Sequence, residues 1–351
     1  PRPQKPRSTP FLFRWLARAV LIESHNYPIL REGIAEAVAT QERNELGMYS
    51  PDGRNRSAHP DSDGPAKRKS KQKRENTAVA AVAQHTEGGN YGMTERRKAV
   101  MIALVNNKGG VGKTTTAVNL SAGLALSDRR VLLADLDAQG SASLSLGLHR
   151  PDLSPGTAEV LLEGLPVVKA IRPGAGGLDI LPGSMDLASA DLVLSDVTGR
   201  EAVLGGALKP VLGAYDFIVL DCPPSLGLLT VNALTAADHY IIPVTPDYLA
   251  LEGLVNLMDA VGKIRTGIGA AADLLGILLT LADYRLNVTE EIGRMIRGYY
   301  GRQVFKAEVR GNVKLKEAPS FGKSIFDYDK GSSGAEAYRL LTKEVLNRIK
   351  T

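Results

Sequence analysis

Between Ala99 and Ser127 the chain reads AVMIALVNNKGGVGKTTTAVNLSAGLALS: an apolar burst, a turn with three glycines in four positions, then helix-forming residues. This succession predicts a strand, a tight loop and a helix. In such a loop the backbone N–H groups of Gly109, Gly110, Val111 and Gly112 converge on an anion, and the helix N-terminus adds its partial positive charge. Lys113 is spaced to reach the β- and γ-phosphates of a nucleotide, Thr114 to place a hydroxyl on Mg²⁺, and Thr115 to sit in the first helical turn near the α-phosphate. A second lysine, Lys108, opens the loop five residues before Lys113.

From Lys98 onward, short apolar runs alternate with helix-length segments. The runs are AVMIALVN, RVLLADLD, GLDILPG, YDFIVLD, HYIIPVT, DLLGILLTLAD and QVFKAEV; between them lie KTTTAVNLSAGLALS, SLGLLTVNALTAA and YLALEGLVNLMDAVGKIRT. Bursts without strict alternation belong to strands buried on both faces, so the fold class predicted is α/β, a doubly wound, mostly parallel sheet with helices on both sides. In such sheets ligands bind at the C-terminal strand ends.

Residues 98–351 form the expected nucleotide-binding domain. Residues 1–97 read as an extension, largely disordered, because residues 50–92 are rich in Ser, Gly, Pro, Asn and charge and lack apolar periodicity. Lys67–Arg74 (KRKSKQKR) is a basic run within it, and Met93 is a candidate natural start. Residues 1–97 hold 17 Lys and Arg against 11 Asp and Glu, whereas 98–351 hold 26 against 27. Any nucleic-acid surface on the domain is therefore a local patch rather than a property of bulk charge. A single cysteine, Cys222, excludes a disulfide framework and any site needing two thiolates from one chain, and no run reaches the length of a membrane span. These features point to the cytoplasm, with no membrane partner.

Acidic residues stand where strand ends meet the loop. Asp221 closes YDFIVLD, the place of a carboxylate that holds Mg²⁺ through water, and the Pro223–Pro224 pair after it stiffens a loop able to respond to the terminal phosphate. Asp135 and Asp137 close RVLLADLD two residues apart, on one side of the strand. One of the two can orient an attacking water; capping a turn is the other role open to each.

KGGVGKTT, DLDAQGSAS, YDFIVLDCPPSLG, YLALEGL and EAPSFGKSI, in this order from Lys108 to Ile325, resemble the ParA/Soj chromosome- and plasmid-partitioning ATPases, a deviant Walker-A class of phosphate-loop proteins. The resemblance implies an Mg²⁺-dependent ATPase that forms a homodimer around ATP, binds DNA without sequence preference, associates with the nucleoid and is stimulated by a ParB-type centromere-binding partner. It implies that Lys108 crosses the dimer interface to the partner's nucleotide, that Asp137 positions the hydrolytic water, and that Asn312 lies on the adenine side. Arg285, in DYRLN, matches a family position implicated in DNA contact. Arg302, Lys306, Arg310, Lys314, Lys316 and Lys323 add to a basic concentration in the same region. Departures from the family pattern are Arg310 and Gly311 ahead of Asn312, Ser141 after DLDAQG, and Thr245 and Asp247 before YLALEG.

Two alternatives share the fold: a MinD-like membrane-cycling ATPase and an ATP-regulated DNA-binding repressor. The first needs a terminal basic amphipathic helix for the membrane. Here the Leu341, Val345, Ile349 stripe is expected to pack on the sheet instead. A reductase with an iron–sulfur cluster at a dimer interface is excluded by the single cysteine.

Overall fold

The computed structural model describes residues 98–350 except 175–177 and 270–271. The expected extension, with its basic run and Met93, lies outside the described residues.

Eight strands form one sheet: β1 (Val100–Leu104), β2 (Val131–Asp135), β3 (Arg172–Pro173), β4 (Asp179–Leu181), β5 (Phe217–Asp221), β6 (His239–Val244), β7 (Asp273–Ala282) and β8 (Val304–Arg310). Their order is β3-β4-β2-β5-β1-β6-β7-β8, and only the β3–β4 pair is antiparallel. The seven apolar runs became the seven parallel strands. The two-residue β3 carries no apolar pattern, and its proline suits an edge position that needs no N–H. Among the described residues five helices have nine residues or more: α1 (Lys113–Ala125), α2 (Leu228–Ala236), α3 (Ala250–Ile268), α4 (Asn287–Tyr300) and α5 (Ser333–Ile349).

The unbroken hydrophobicity of the strands follows from two cores. Met101 and Ala103 of β1 face one cluster with Ile218 and Leu220 of β5. Ile102 and Leu104 face the other with Phe217 and Val219. Because successive side chains point to opposite faces, a strand covered on both sides has no polar position to spare. β1 lies between β5 and β6, so the loop leaving its C-terminal end emerges at the middle of the sheet, flanked by the ends of both neighbours.

Helix α5 is bound into the second core. Leu341 and Val345 are fully buried and Ile349 packs beside them. Its Glu344 accepts from the edge-strand N–H groups of Lys306 (2.9 Å) and Ala307 (3.0 Å). Its Arg348 donates to the carbonyls of Leu275 (2.7 Å) and Val304 (3.0 Å) and lies 4.0 Å over the Phe305 ring. The helix thus covers an edge that would otherwise offer free backbone groups for pairing. It also touches α1: the Thr116 and Tyr338 hydroxyls are 3.2 Å apart, and Gly123 leaves room for Thr342.

Near the end of β7 the ladder is irregular. Pairing with β8 shifts between Thr280 and Ala282, and the residue between them, Leu281, has φ +52°. A left-handed backbone at a non-glycine residue costs about 1–2 kcal/mol.

Candidate functional site

The loop after β1 has the shape the sequence predicts. Gly110 (φ +74°) and Gly112 (φ +83°) are left-handed, and Gly112 directly precedes α1. Two side chains fasten the loop to neighbouring strands. The Asn106 amide donates to the Pro243 carbonyl at the end of β6 (2.7 Å) and its oxygen accepts from the Lys108 N–H (2.9 Å). The Thr280 hydroxyl donates to the Val111 carbonyl (2.7 Å). Neither tie is visible in sequence, since each joins residues more than a hundred positions apart.

The two lysines diverge. Lys113 is buried, and its ammonium donates to the Lys108 carbonyl (3.1 Å), curling the loop around itself. Burial holds its pKa below the ordinary lysine value, opposed first by the nearby Asp221 carboxylate and more weakly by Asp137. Lys108 points outward, half-exposed, and is paired with the Asp247 carboxylate. Asp247 is one of the residues at which this chain departs from the family pattern, and its contact with Lys108 was not foreseen.

Asp135 and Asp221 are register partners on β2 and β5, and both are fully buried. Asp135 is held on three sides: Oδ2 accepts from the Ser143 N–H (3.0 Å) and hydroxyl (2.8 Å), and Oδ1 from the Asp137 N–H (3.2 Å). Burial nevertheless pushes its carboxyl up to about 6. Of the two roles open to Asp135, structure favours the anchor that shapes the loop. Asp137 is half-buried, its Oδ1 accepting from the Gln139 N–H (3.0 Å), and its charge reaches both Lys113 and Asp221.

Asp221 contrasts with Asp135. Neither carboxylate oxygen has a hydrogen-bond partner, and burial, followed by the charge of Asp135, raises its pKa well above the carboxylate range. The Thr114 hydroxyl stands near enough to favour the charged form, without a bond of ordinary geometry to either oxygen. A buried, unsatisfied acid beside a phosphate loop is the donor a hard cation lacks when phosphates supply its other ligands. Among the described residues no group of three or more His, Cys, Asp or Glu side chains is placed to hold a metal ion.

Beside the loop opens a cleft of about 280 Å³, with Gly112 and Thr115 on the phosphate side and Leu281, Val309, Leu315 and Pro319 among its walls. Asn312 borders it, but its amide is committed. Its oxygen accepts from the Lys314 (2.7 Å) and Leu315 (3.3 Å) N–H groups as an N-cap, and its nitrogen donates to the Ser333 hydroxyl (2.8 Å). An asparagine followed by VKLKE is itself a capping signal, so this use was legible in sequence.

The basic residues named for DNA contact are all exposed. Three already have carboxylate partners: Arg285 with Asp283 (2.8 Å), Arg310 with Glu308 (3.1 Å) and Lys314 with Glu317 (3.0 Å). Arg310 also stacks 4.8 Å over Tyr284. Lys316 and Lys323 are exposed without an ion pair among the described residues.

A glycine turn between a central strand and a helix, an inward lysine and a buried acid on the adjoining strand define a phosphate-loop nucleotide-binding domain. Residues 99–272 match the family model described as an AAA domain. The chain is 43% identical over 262 residues to the chromosome partitioning protein ParA of Myxococcus xanthus, covering 74% of this chain and 93% of that one. It is 44% identical over 246 residues to the sporulation initiation inhibitor protein Soj of Bacillus subtilis, covering 70% and 97%. Among solved structures, cobyrinic acid a,c-diamide synthase from Mycobacterium smegmatis with bound ATP analogue and magnesium matches with a TM-score of 0.64 at 33% identity, over 72% of this chain and 96% of that one. The chain belongs to the ParA/Soj family of partitioning ATPases.

Proposed function

We propose that residues 98–351 work as an ATP-driven DNA-partitioning switch in the cytoplasm. The domain binds ATP with Mg²⁺, pairs with a second copy, holds nucleoid DNA without sequence preference, and hydrolyses ATP when a ParB-type partner stimulates it. The observation that carries this reading is the divergence of the two lysines: Lys113 turns into its own loop, and Lys108 stands outside it on Asp247.

Gly109 to Gly112 and the start of α1 cradle the phosphates, and Lys113 takes the β- and γ-oxygens. Thr114 and Asp221 hold Mg²⁺, which when bound neutralises charge on the terminal phosphates. Asp137, at the rim and partly open to water, orients the attacking water. Lys108 of one protomer reaches the nucleotide of the other and stabilises charge as the terminal phosphate leaves, so turnover requires the dimer. Loss of that phosphate removes contacts made only with ATP and returns the dimer to monomers.

The exposed basic residues Arg285, Arg310, Lys314, Lys316 and Lys323 supply a DNA-binding face. Leu341 and Val345 of α5 pack into the core, so this helix is engaged on the sheet rather than free to lie on a membrane.

Light scattering of the full chain with ATP, ADP and no nucleotide tests the cycle. A doubling of mass with ATP alone, together with DNA retention that falls steeply with salt, is expected. An ATP-bound monomer, or footprints confined to one promoter, would count against it.

A further inference from the structure

We propose that Leu281 is a base-contact residue, held in a left-handed backbone so that its side chain forms one wall of the slot for the purine ring. The inference rests on the nucleotide-binding reading above and adds a base-contact residue to it.

Among the described residues only Asp128 and Leu281 are non-glycine residues with positive φ. Asp128 follows the end of α1, where a short polar side chain tolerates that conformation. Leucine has no local hydrogen bond to compensate for it. Strain of this kind persists only where the surroundings impose it, and it collects at ligand sites.

The surroundings are explicit. Thr280, one residue before, is tied by its hydroxyl to Val111 of the phosphate loop. Ala282, one residue after, accepts from the Gly311 N–H (3.4 Å) on the loop that carries Asn312. Leu281 therefore bridges the two loops that border the cleft, at the point where pairing with β8 slips. Its neighbours are buried, Thr280 at 1% and Ala282 at 2%, while Leu281 is 36% exposed and lines the cleft with Gly112 and Thr115.

The chemistry of the slot agrees. The Asn312 amide is spent on its cap and on Ser333, so the side chain expected to read the base edge is occupied. Apolar surface comes from Leu281, Val309, Leu315 and Pro319; Thr280, Lys316 and Tyr338 are further polar members of the lining, and it contains no Asp or Glu. Such a slot holds a base by its flat face. The occupant is the base of the ATP proposed above, because Gly112 ends the phosphate loop and Thr115 stands in the first turn of α1, which together fix where the rest of the nucleotide lies.

Titration calorimetry on the full chain, with ATP and with inorganic tripolyphosphate as separate probes, tests this. Leu281→Gly accepts the backbone angle and removes the wall; Leu281→Asn accepts the angle and makes the wall polar; Leu281→Met preserves an apolar contact. We expect Gly and Asn to weaken ATP binding about tenfold, the order supplied by covering one partly exposed leucine side chain, and Met to stay within about twofold. Tripolyphosphate affinity should be unchanged in all three, and Leu281→Gly should melt no lower than wild type because it relieves the strain. Wild-type ATP affinity in Leu281→Gly, or an equal loss for tripolyphosphate, would overturn the assignment. Wild-type protein that binds neither probe would overturn the nucleotide reading itself and this inference with it.

Discussion

Asp135 and Asp221 stand opposite each other on adjacent parallel strands, both fully buried, and only Asp135 has its hydrogen bonds made. The contrast assigns their work. A carboxylate bonded by Ser143 and Asp137 can hold a loop in shape, and one without partners can hold a cation. Leaving Asp221 unsatisfied costs stability, and that cost is offset when Mg²⁺ arrives with the nucleotide.

Asp221→Asn should therefore stabilise the nucleotide-free protein while abolishing its response to Mg²⁺. Both acids have raised folded-state pKa values, so the folded protein binds protons more tightly than the unfolded chain. Stability from this pair declines as pH rises from about 4 through 6 and beyond. Thermal melts of wild type and variant across that range, without metal, should diverge towards neutral pH by about 1–3 kcal/mol in favour of Asn. Carboxylates with lowered values, such as Asp283 and Glu308, titrate alike in both proteins and cancel. A variant less stable than wild type at pH 7 would contradict the assignment.

Lys113→Ala should lose ATP binding by about a hundredfold or more, since it deletes the cation on the β- and γ-phosphates and the bond that curls the loop. Equilibrium dialysis with ATP checks it; retained tight binding would remove Lys113 from the site.

Asp137→Ala should bind ATP, accumulate as a dimer and turn over at least about a hundredfold more slowly. Sedimentation and partner-stimulated phosphate release together read this, and undiminished release would end the water-orienting role.

Lys108→Ala should bind ATP as a monomer with near-normal affinity yet fail to dimerise or hydrolyse. Asp247→Asn releases the same lysine rather than removing it. Its effect on the ATP concentration needed for dimerisation should stay within about fivefold, because exposed ion pairs contribute at most about 1 kcal/mol. Wild-type dimerisation in Lys108→Ala, measured by light scattering, would refute the role in trans.

Gly183→Ala should destabilise the domain by about 2–4 kcal/mol, since its Cβ would fall 2.8 Å from the Asp137 carbonyl and 2.9 Å from the Asp135 carboxyl carbon. Chemical denaturation reads it; a neutral result would mean that the Asp135–Asp137 loop can retreat freely.

What the sequence disclosed were features set by local chemistry. Strands buried on both faces must be apolar throughout, so seven of eight could be read, and β3 escaped because a two-residue edge carries no pattern. The phosphate loop was legible because glycine, lysine and threonine must occur at fixed spacing ahead of a helix. Asp221 was placed by its position at a strand end, but its lack of partners emerges only when β2 and β5 pair. The choice between Asp135 and Asp137 depended on Ser143, eight residues beyond Asp135, folding back beneath it. The Lys108–Asp247 pair and the strained Leu281 are products of tertiary approach, and no local signal announces them.

The contact between α1 and α5 sets an order of events during synthesis. The helix that carries Lys113 and Thr114 rests on Tyr338 and Thr342, more than two hundred residues later in the chain. A nascent chain still holding α5 inside the ribosome lacks the support behind its phosphate loop and the cover on its sheet edge. The nucleotide site should therefore mature only after α5 has emerged.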